Sequence, residues 1–460
     1  MIRTALAVSS GKLARLILNR AGRGATALPG LVALAVDPLA LASLTASLEH
    51  GAVCVSGTNG KTTTSRMLAD IVRAAGWAPV HNRSGSNLDR GIVAALLADS
   101  SWTGAPRSNV GILEVDEATL PRVLARMAPR VVVVTNLFRD QLDRYFEIDA
   151  LAKRIGGAIA RLPASTTLVL NADDPIVAQL AHGHRGPVTY FGVDDPKAGG
   201  TVAQSISDAT RCPRCRAPLQ YRRVVLAHIG DWSCSACRFT RPERGIAASA
   251  VELSADATTI RIAAASGTEE TVTVPLPGLY NAYNALAALA AAGVVGIGLP
   301  TAARALASFR PAFGRLETVQ ADDRTLRLML VKNPAGFNAA IGALLETGRH
   351  PRLLAALNDR DADGRDVSWI WDADFESLAP RVAHAVVTGL RSRDLAVRLK
   401  YAGVDPARIE VVDGWKDALL RAIGAAAQGE EVVVVATYTA MLALRGALAD
   451  MGYVGRFWED

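Results

Sequence analysis

Two groups of residues in this chain have the types and spacing to do chemistry. Cys212, Cys215, Cys234 and Cys237 form a C-x₂-C-x₁₈-C-x₂-C pattern. Each close pair spans one edge of a tetrahedron and the spacer suits a short hairpin, so the pattern points to a structural zinc ribbon. The second group is the run Gly57, Thr58, Asn59, Gly60, Lys61, Thr62, Thr63, which follows an apolar strand (Ala52–Ser56) and precedes helical apolar spacing. Glycines there let backbone N–H groups close on phosphates and the helix N-terminus favours anions. Lys61 offsets β/γ-phosphate charge, and the Thr62 hydroxyl suits Mg²⁺. The loop departs from G-x-x-x-x-G-K-[ST], because position 55 is Val and the glycine stands at 57. A strand Val110–Val115 carries Glu114 near its carboxyl end, where ligands of parallel sheets gather, so Glu114 is expected as a second Mg²⁺ ligand. ATP and Mg²⁺ use beside a zinc site is the combination to explain.

These residues need elements to position them. Apolar strands at 52–56, 110–115, 131–136, 167–171 and 188–191 alternate with helical stretches, which predicts a doubly wound, largely parallel sheet. The ribbon interrupts at about 205–245, short strands follow at 259–264 and 270–274, and an Ala-rich helix starts near Asn281. After Arg315 the rhythm restarts, with strands expected at 328–331, 353–357, 385–388 and 431–435. The expected organisation is a lead segment 1–48, a central ATP-binding domain 49–315 with the ribbon inserted, and a Rossmann-like domain 316–460. The lead either packs as a helix on the next domain or lies as an interfacial helix on anionic lipid.

Composition narrows the class. With 460 residues, 50% apolar and 5% aromatic, the chain can build several α/β domains. No apolar run approaches the roughly 20 residues of a membrane span, and early basic residues argue against a signal peptide. Paired thiols plus Cys54 in an apolar strand fit a reducing cytoplasm, with peripheral contact to the inner membrane face left open. Eight arginines stand against Asp231 and Glu243 between 211 and 244, which is the whole formal charge of +6. That raises a nucleic-acid reading, but aromatics are few there and no nucleic acid is expected.

Gly57-Thr-Asn-Gly-Lys-Thr, Leu113-Glu114, Thr135-Asn136-Leu137 with Asp140-Gln141-Leu142-Asp143, Asn171-Ala-Asp173-Asp174-Pro175, Asn281-Ala-Tyr-Asn284 and Phe313-Gly-Arg315-Leu-Glu317 occur in order. Together they resemble the motifs of the Mur ligases, ATP-dependent amide-forming enzymes of peptidoglycan synthesis. The resemblance implies that Lys61 and Thr62 hold triphosphate and Mg²⁺, that Glu114 ligates Mg²⁺, that Asn281 or Asn284 meets adenine, and that Arg315 approaches from the domain junction. Four departures matter. Gln141 stands where typical members have histidine, no separate UDP-binding domain is expected ahead of residue 49, Val331-Lys332-Asn333-Pro334 replaces Asp-Tyr-Ala-His, and a ribbon is inserted. These, with stretches at 358–372 and 436–441, resemble the MurT subgroup, which implies amidation of the D-glutamate α-carboxylate of lipid II alongside a GatD-like class I glutamine amidotransferase.

The residues themselves also call for a partner. Activating a carboxylate requires ATP, and ammonia at neutral pH usually comes from glutamine through a cysteine nucleophile. Four cysteines here are expected on zinc and the fifth in a strand, so a separate glutaminase follows. The subgroup resemblance implies that an aspartate of this chain completes the partner's Cys–His pair. Asp359, Asp361, Asp363 and Asp366 are candidates, with Asp366 the choice and Asp363 next. Two other readings stay open: a folylpolyglutamate-synthase-like ligase adding an amino acid, and a zinc-ribbon nucleic-acid binder.

Overall fold

The computed structural model describes residues 2–20, 27–82, 86–138, 147–199, 209–254, 256–265, 267–310, 315–345 and 352–455. The first sheet contains β1 (Ala52–Ser56), β2 (Pro79–His81), β3 (Val110–Glu114), β4 (Val131–Val134), β5 (Thr167–Asn171) and β6 (Val188–Val193). After the hairpin β7 (Leu219–Leu226) and β8 (Ile229–Cys234) come β9 (Ile246–Leu253), β10 (Thr258–Ala264) and β11 (Glu269–Val274). The nine strands run in the order β11-β10-β9-β6-β5-β4-β1-β3-β2. From β2 across to β9 every pairing is parallel, and β9, β10 and β11 form an antiparallel meander at the edge.

The parallel strands are buried on both faces, which is why they read as unbroken Val, Ile and Leu rather than alternating. Val53 and Val55 of β1 face the layer of α4 (defined below) and the Ala-rich helix Leu279–Val294. Cys54 faces the opposite layer, where burial pushes its thiol up to about 12. It is an inert core residue, as expected.

Five helices are labelled: α1 (Ile2–Arg20), α2 (Leu28–Val36), α3 (Ala40–Ala46), α4 (Lys61–Ala74) and α5 (Asp89–Asp99). The first three make the lead segment a helical layer packed on α5.

The second sheet comprises β12 (Arg315–Ala321), β13 (Arg324–Leu330), β14 (Arg352–Ala356), β15 (His384–Thr388), β16 (Ile409–Val411) and β17 (Glu431–Ala436), in the order β12-β13-β17-β14-β15-β16. Only β12 is antiparallel to its neighbour. One face carries a core of its own and the other joins the core of the first sheet, and the restart of the βα rhythm after Arg315 is a sheet of its own. The Asp140–Asp143 motif, Phe313, Gly314 and residues 200–208 at the start of the ribbon lie outside the described residues.

Candidate active site and ribbon

Chain order places the site. From β1 the chain moves one way to β2 and β3, then crosses to β4 and β5 on the other side. The carboxyl end of β1 is therefore the switch point, where a crevice opens and ligands of such sheets sit. The loops after β1, β3 and β4 meet there. Gly57 and Gly60 have φ of 135° and 84°, and a Cβ on Gly60 would lie 2.0 Å from Asn284 Oδ1. Only glycine fits that close approach with that backbone.

The loop is held from beneath. Asn59 N–H donates to Asn136 Oδ1 at 2.8 Å, Asn136 Nδ2 and Thr135 Oγ1 donate back to Asn59 O, and Thr58 Oγ1 donates to Phe138 O at 3.1 Å. Lys61, the first residue of α4, is buried and bends back to the carbonyls of Gly57 and Thr58 and to Glu117 Oε2 at 2.7 Å. Sequence reasoning missed Glu117, three positions beyond Glu114. Asp116 is a turn-former, accepting the N–H groups of Ala118 and Thr119.

Glu114 ends β3 and is 3% exposed, yet its Oε2 has no hydrogen-bond partner. Asn82 fixes the backbone around it, accepting from Glu114 N–H and donating to Glu114 O, both at 2.8 Å. A buried carboxylate oxygen without a partner is costly. Half-buried Thr62 at the head of α4 supplies a hydroxyl of the right kind. Donors and placement fit Mg²⁺.

Asn281 and Asn284 are buried on the helix Leu279–Val294, joined by Asn284 Nδ2 to Asn281 Oδ1 at 3.1 Å. Asn284 faces the phosphate loop through Thr64 and Gly60. From the second sheet, Asn333 Nδ2 donates to Asn59 Oδ1 at 3.3 Å while its own Oδ1 caps Gly336 N–H at 2.7 Å. The segment that replaces the usual Asp-Tyr-Ala-His thus lies against the phosphate loop. Arg315 opens β12, and its backbone alone is described.

The four ribbon sulfurs lie within 4.8 Å of one another, with Cys212–Cys237 at 3.5 Å and Cys215–Cys234 at 3.4 Å. Tetrahedral zinc–thiolate geometry asks for edges of about 3.8 Å. N–H groups of Ala236 and Cys237 point at Cys234 Sγ and hold that thiol down at about 6, which favours the thiolate a metal needs. The group fits zinc.

The ribbon is docked rather than free-standing. Trp232 is 1% exposed and donates Nε1–H to Ala172 O, and Gly230 N–H donates to Asp173 O. Asp173 also receives Arg241, Tyr283 Oη–H and Val193 N–H. Burial pushes its carboxyl up despite Arg241. Arg216, Arg222, Arg241 and Arg244 are all in ion pairs with aspartates, so half of the ribbon's arginines bind this chain itself. At the hairpin tip His228 is fully buried, 3.3 Å from Asp174 Oδ2 and against the Phe138 ring at 4.7 Å. Asp174 in turn accepts Leu137 N–H at 2.9 Å. The ribbon therefore braces the loop that carries the phosphate loop.

In the second sheet Asp363 is buried and accepts from Arg360 N–H, Thr439 N–H at 2.6 Å and Thr439 Oγ1. It staples the loop after β14 to the loop after β17. Both of its oxygens accept bonds within this chain, which leaves Asp366 the more available of the two candidates. Asp359 pairs with Arg391 and Asp361 with Arg365. Asp366 is partly exposed and engages only Ser368, through Oδ1.

A phosphate loop at a switch point, with an unpartnered buried carboxylate beside it and a second Rossmann-like sheet reaching across, defines an ATP-dependent ligase. Comparison with known proteins agrees. The Mur ligase middle domain matches residues 55–212 and the MurT ligase C-terminal domain residues 330–441. The chain is 35% identical over 452 residues to the lipid II isoglutaminyl synthase (glutamine-hydrolyzing) subunit MurT of Streptococcus pneumoniae, covering 97% of each. In fold it is similar to MurF of Acinetobacter baumannii (TM-score 0.67, 17% identity, 92% of this chain and 80% of that one). It is also similar to Mycobacterium tuberculosis folylpolyglutamate synthase complexed with ADP (TM-score 0.63, 18% identity, 98% and 99%). The chain belongs to the MurT branch of the Mur ligase family.

Proposed function

We propose that this protein is the synthetase subunit of a glutamine-dependent amidating ligase, converting the D-glutamate α-carboxylate of lipid II to the amide during peptidoglycan synthesis. The observation that carries the reading is Glu114, a buried carboxylate with an unpartnered oxygen at the carboxyl end of β3, in register with Val55 just ahead of the phosphate loop. The similarity to a MurT subunit over nearly the whole chain gives the substrate class.

In this reading the α-carboxylate oxygen attacks the γ-phosphorus of ATP, giving an acyl phosphate and ADP. Ammonia then attacks the carbonyl carbon, phosphate leaves, and a proton is lost. Lys61 and the N–H groups of residues 60–63 at the head of α4 hold the phosphates and stabilise charge on the transferring phosphoryl. Glu114 and Thr62 hold Mg²⁺, which supplies charge neutralisation when bound. Similarity to the Mur ligases assigns Asn281 or Asn284 to adenine and Arg315 to the nucleotide; Asn284 also packs on Gly60 of the phosphate loop. Asn333 supports the phosphate loop from the second sheet. Cys212, Cys215, Cys234 and Cys237 would hold zinc, which would keep the ribbon's brace in place.

Four of the five cysteines cluster as a candidate metal group and Cys54 is buried in the core. Glutamine hydrolysis therefore belongs to a separate GatD-like class I amidotransferase. Asp366, whose Oδ2 makes none of the loop's bonds, is the carboxylate offered to that partner's Cys–His pair. Among the described residues no single helix is long and apolar enough to cross a membrane.

The test is purification with a candidate glutaminase, followed by mass spectrometry of a lipid-linked muropeptide after ATP and glutamine. Conversion of one carboxylate to an amide supports the reading. Addition of an amino acid, with ammonia ignored, would replace it with the folylpolyglutamate-synthase-like alternative.

A further inference from the structure

The helix α1 is built inside out. Its inward side is Ala7, Val8 and Gly11, all buried, and a Cβ on Gly11 would lie 2.7 Å from Leu97 Cδ1 and 2.9 Å from Pro29 O. Contact at backbone distance leaves room only for small residues on that face. The large aliphatics are consequently outside: Ile2, Leu6, Leu13, Leu16 and Ile17 are 82, 58, 56, 44 and 59% exposed. Spacings of four, seven and four from Ile2 through Leu6 and Leu13 to Ile17 put them on one stripe. A water-facing helix is expected to show the opposite arrangement, and an aliphatic face of this extent marks a contact surface.

Charge identifies the contact. Residues 2–20 contain Arg3, Lys12, Arg15 and Arg20 and no acidic residue. The adjoining Trp102 is 54% exposed, tied to α1 by Ser9 Oγ to Trp102 O at 3.1 Å, with Lys12 Nζ 5.7 Å from its ring centroid. The packed neighbour α2 exposes Leu28 and Leu31. An aliphatic stripe flanked by cations, with a tryptophan beside it, matches an interfacial helix on anionic lipid.

We propose that α1, with Trp102, is a docking surface for an anionic bilayer, holding the ligase at the surface where a lipid-linked acceptor resides. The helix lies in the interface plane with Ile2, Leu6, Leu13 and Ile17 turned into the acyl boundary. Exposed Arg15 and Arg20 meet headgroup phosphates, while Arg3 Nε and Lys12 Nζ are held by Val36 O and Ser100 O.

The experiment uses the full chain and vesicles of phosphatidylglycerol and phosphatidylcholine, without nucleotide or muropeptide, so its outcome is separate from that of the amidation assay. Sedimentation and Trp fluorescence should show binding to mixed vesicles, weaker binding to pure phosphatidylcholine, and loss in high salt. Leu13→Gln with Ile17→Gln should weaken binding about tenfold or more, because two anchors of the apolar stripe leave the interface. Arg15→Gln with Arg20→Gln should flatten the dependence on phosphatidylglycerol. These side chains face outward, so melting temperature and ATP hydrolysis should not change in either variant. Vesicle binding unaltered by the Leu13 and Ile17 changes would overturn the proposal. So would a shift from dimer to monomer, or loss of the glutaminase complex, in those variants with lipid binding intact.

Discussion

Asp363 and Asp366 stand three residues apart on one loop, and the geometry gives them opposite roles. Asp363→Ala removes a buried carboxylate that accepts from Arg360 N–H, Thr439 N–H and Thr439 Oγ1. Bonds to a charged group contribute about 1.5–3 kcal/mol each and are not additive, and the orphaned Thr439 N–H adds its own penalty. With partial rehydration the expected loss is about 3 kcal/mol, which in a unit of this size lowers Tm by roughly 6–12 °C. Asp366→Asn keeps an acceptor for Ser368 and leaves nothing buried without a partner, so it should cost under about 1 kcal/mol. Its effect should fall on chemistry. With the charge opposite the partner's imidazole gone, glutamine-dependent amidation should drop by about 10³–10⁴, the scale of losing the acid of such a triad. Amidation driven by ammonium salts should persist. The assay measures both nitrogen sources and Tm on the same preparations of the complex. Equal loss of both activities in Asp366→Asn would move that residue into the synthetase site. An unshifted Tm in Asp363→Ala would refute the staple.

Lys61→Ala should abolish ATP hydrolysis and also lower stability by about 3–5 kcal/mol, because Glu117 is left buried without its cation; adding Glu117→Gln should recover most of the stability and none of the turnover. The ribbon should carry one zinc per chain by elemental analysis, lost in Cys212→Ser, and the docked hairpin predicts that zinc removal raises KM for ATP more than it lowers kcat. His228→Ala should mimic that KM effect with zinc still bound, since it removes the contact to Phe138 and Asp174 directly; unchanged ATP affinity would show the brace to be irrelevant. Ser368 holds the Asp366 carboxyl below the usual carboxylate range. A depressed folded value means its contribution to stability is complete above the unfolded pKa of about 3.9 and is lost only as pH falls through the lower folded value. Between pH 5 and 8 the glutamine-dependent profile should therefore show no limb from this group, as a comparison with Asp366→Glu would check.

Much of the molecule was legible in the chain. Runs such as Val131–Val134 have no polar face, which only a sheet covered on both sides tolerates. A strand, glycine loop, Lys-Thr and helix in succession is a local signal, as are two C-x₂-C pairs, because each depends on neighbours a few residues away. What the chain alone left open depends on residues brought together from far apart. Glu117 could not be told from any other acidic residue until Lys61, 56 positions away, folded onto it. Nothing near His228 in the chain sets it apart, and only burial against Phe138 and Asp174 makes it part of the brace under the phosphate loop. Asp363 and Asp366 are equivalent by type and position; only the approach of Thr439, 76 residues on, consumes one and leaves the other available. The stripe on α1 was visible as periodic aliphatics, but which side faces water was decided in three dimensions, by Gly11 packing at backbone distance against Leu97 and Pro29.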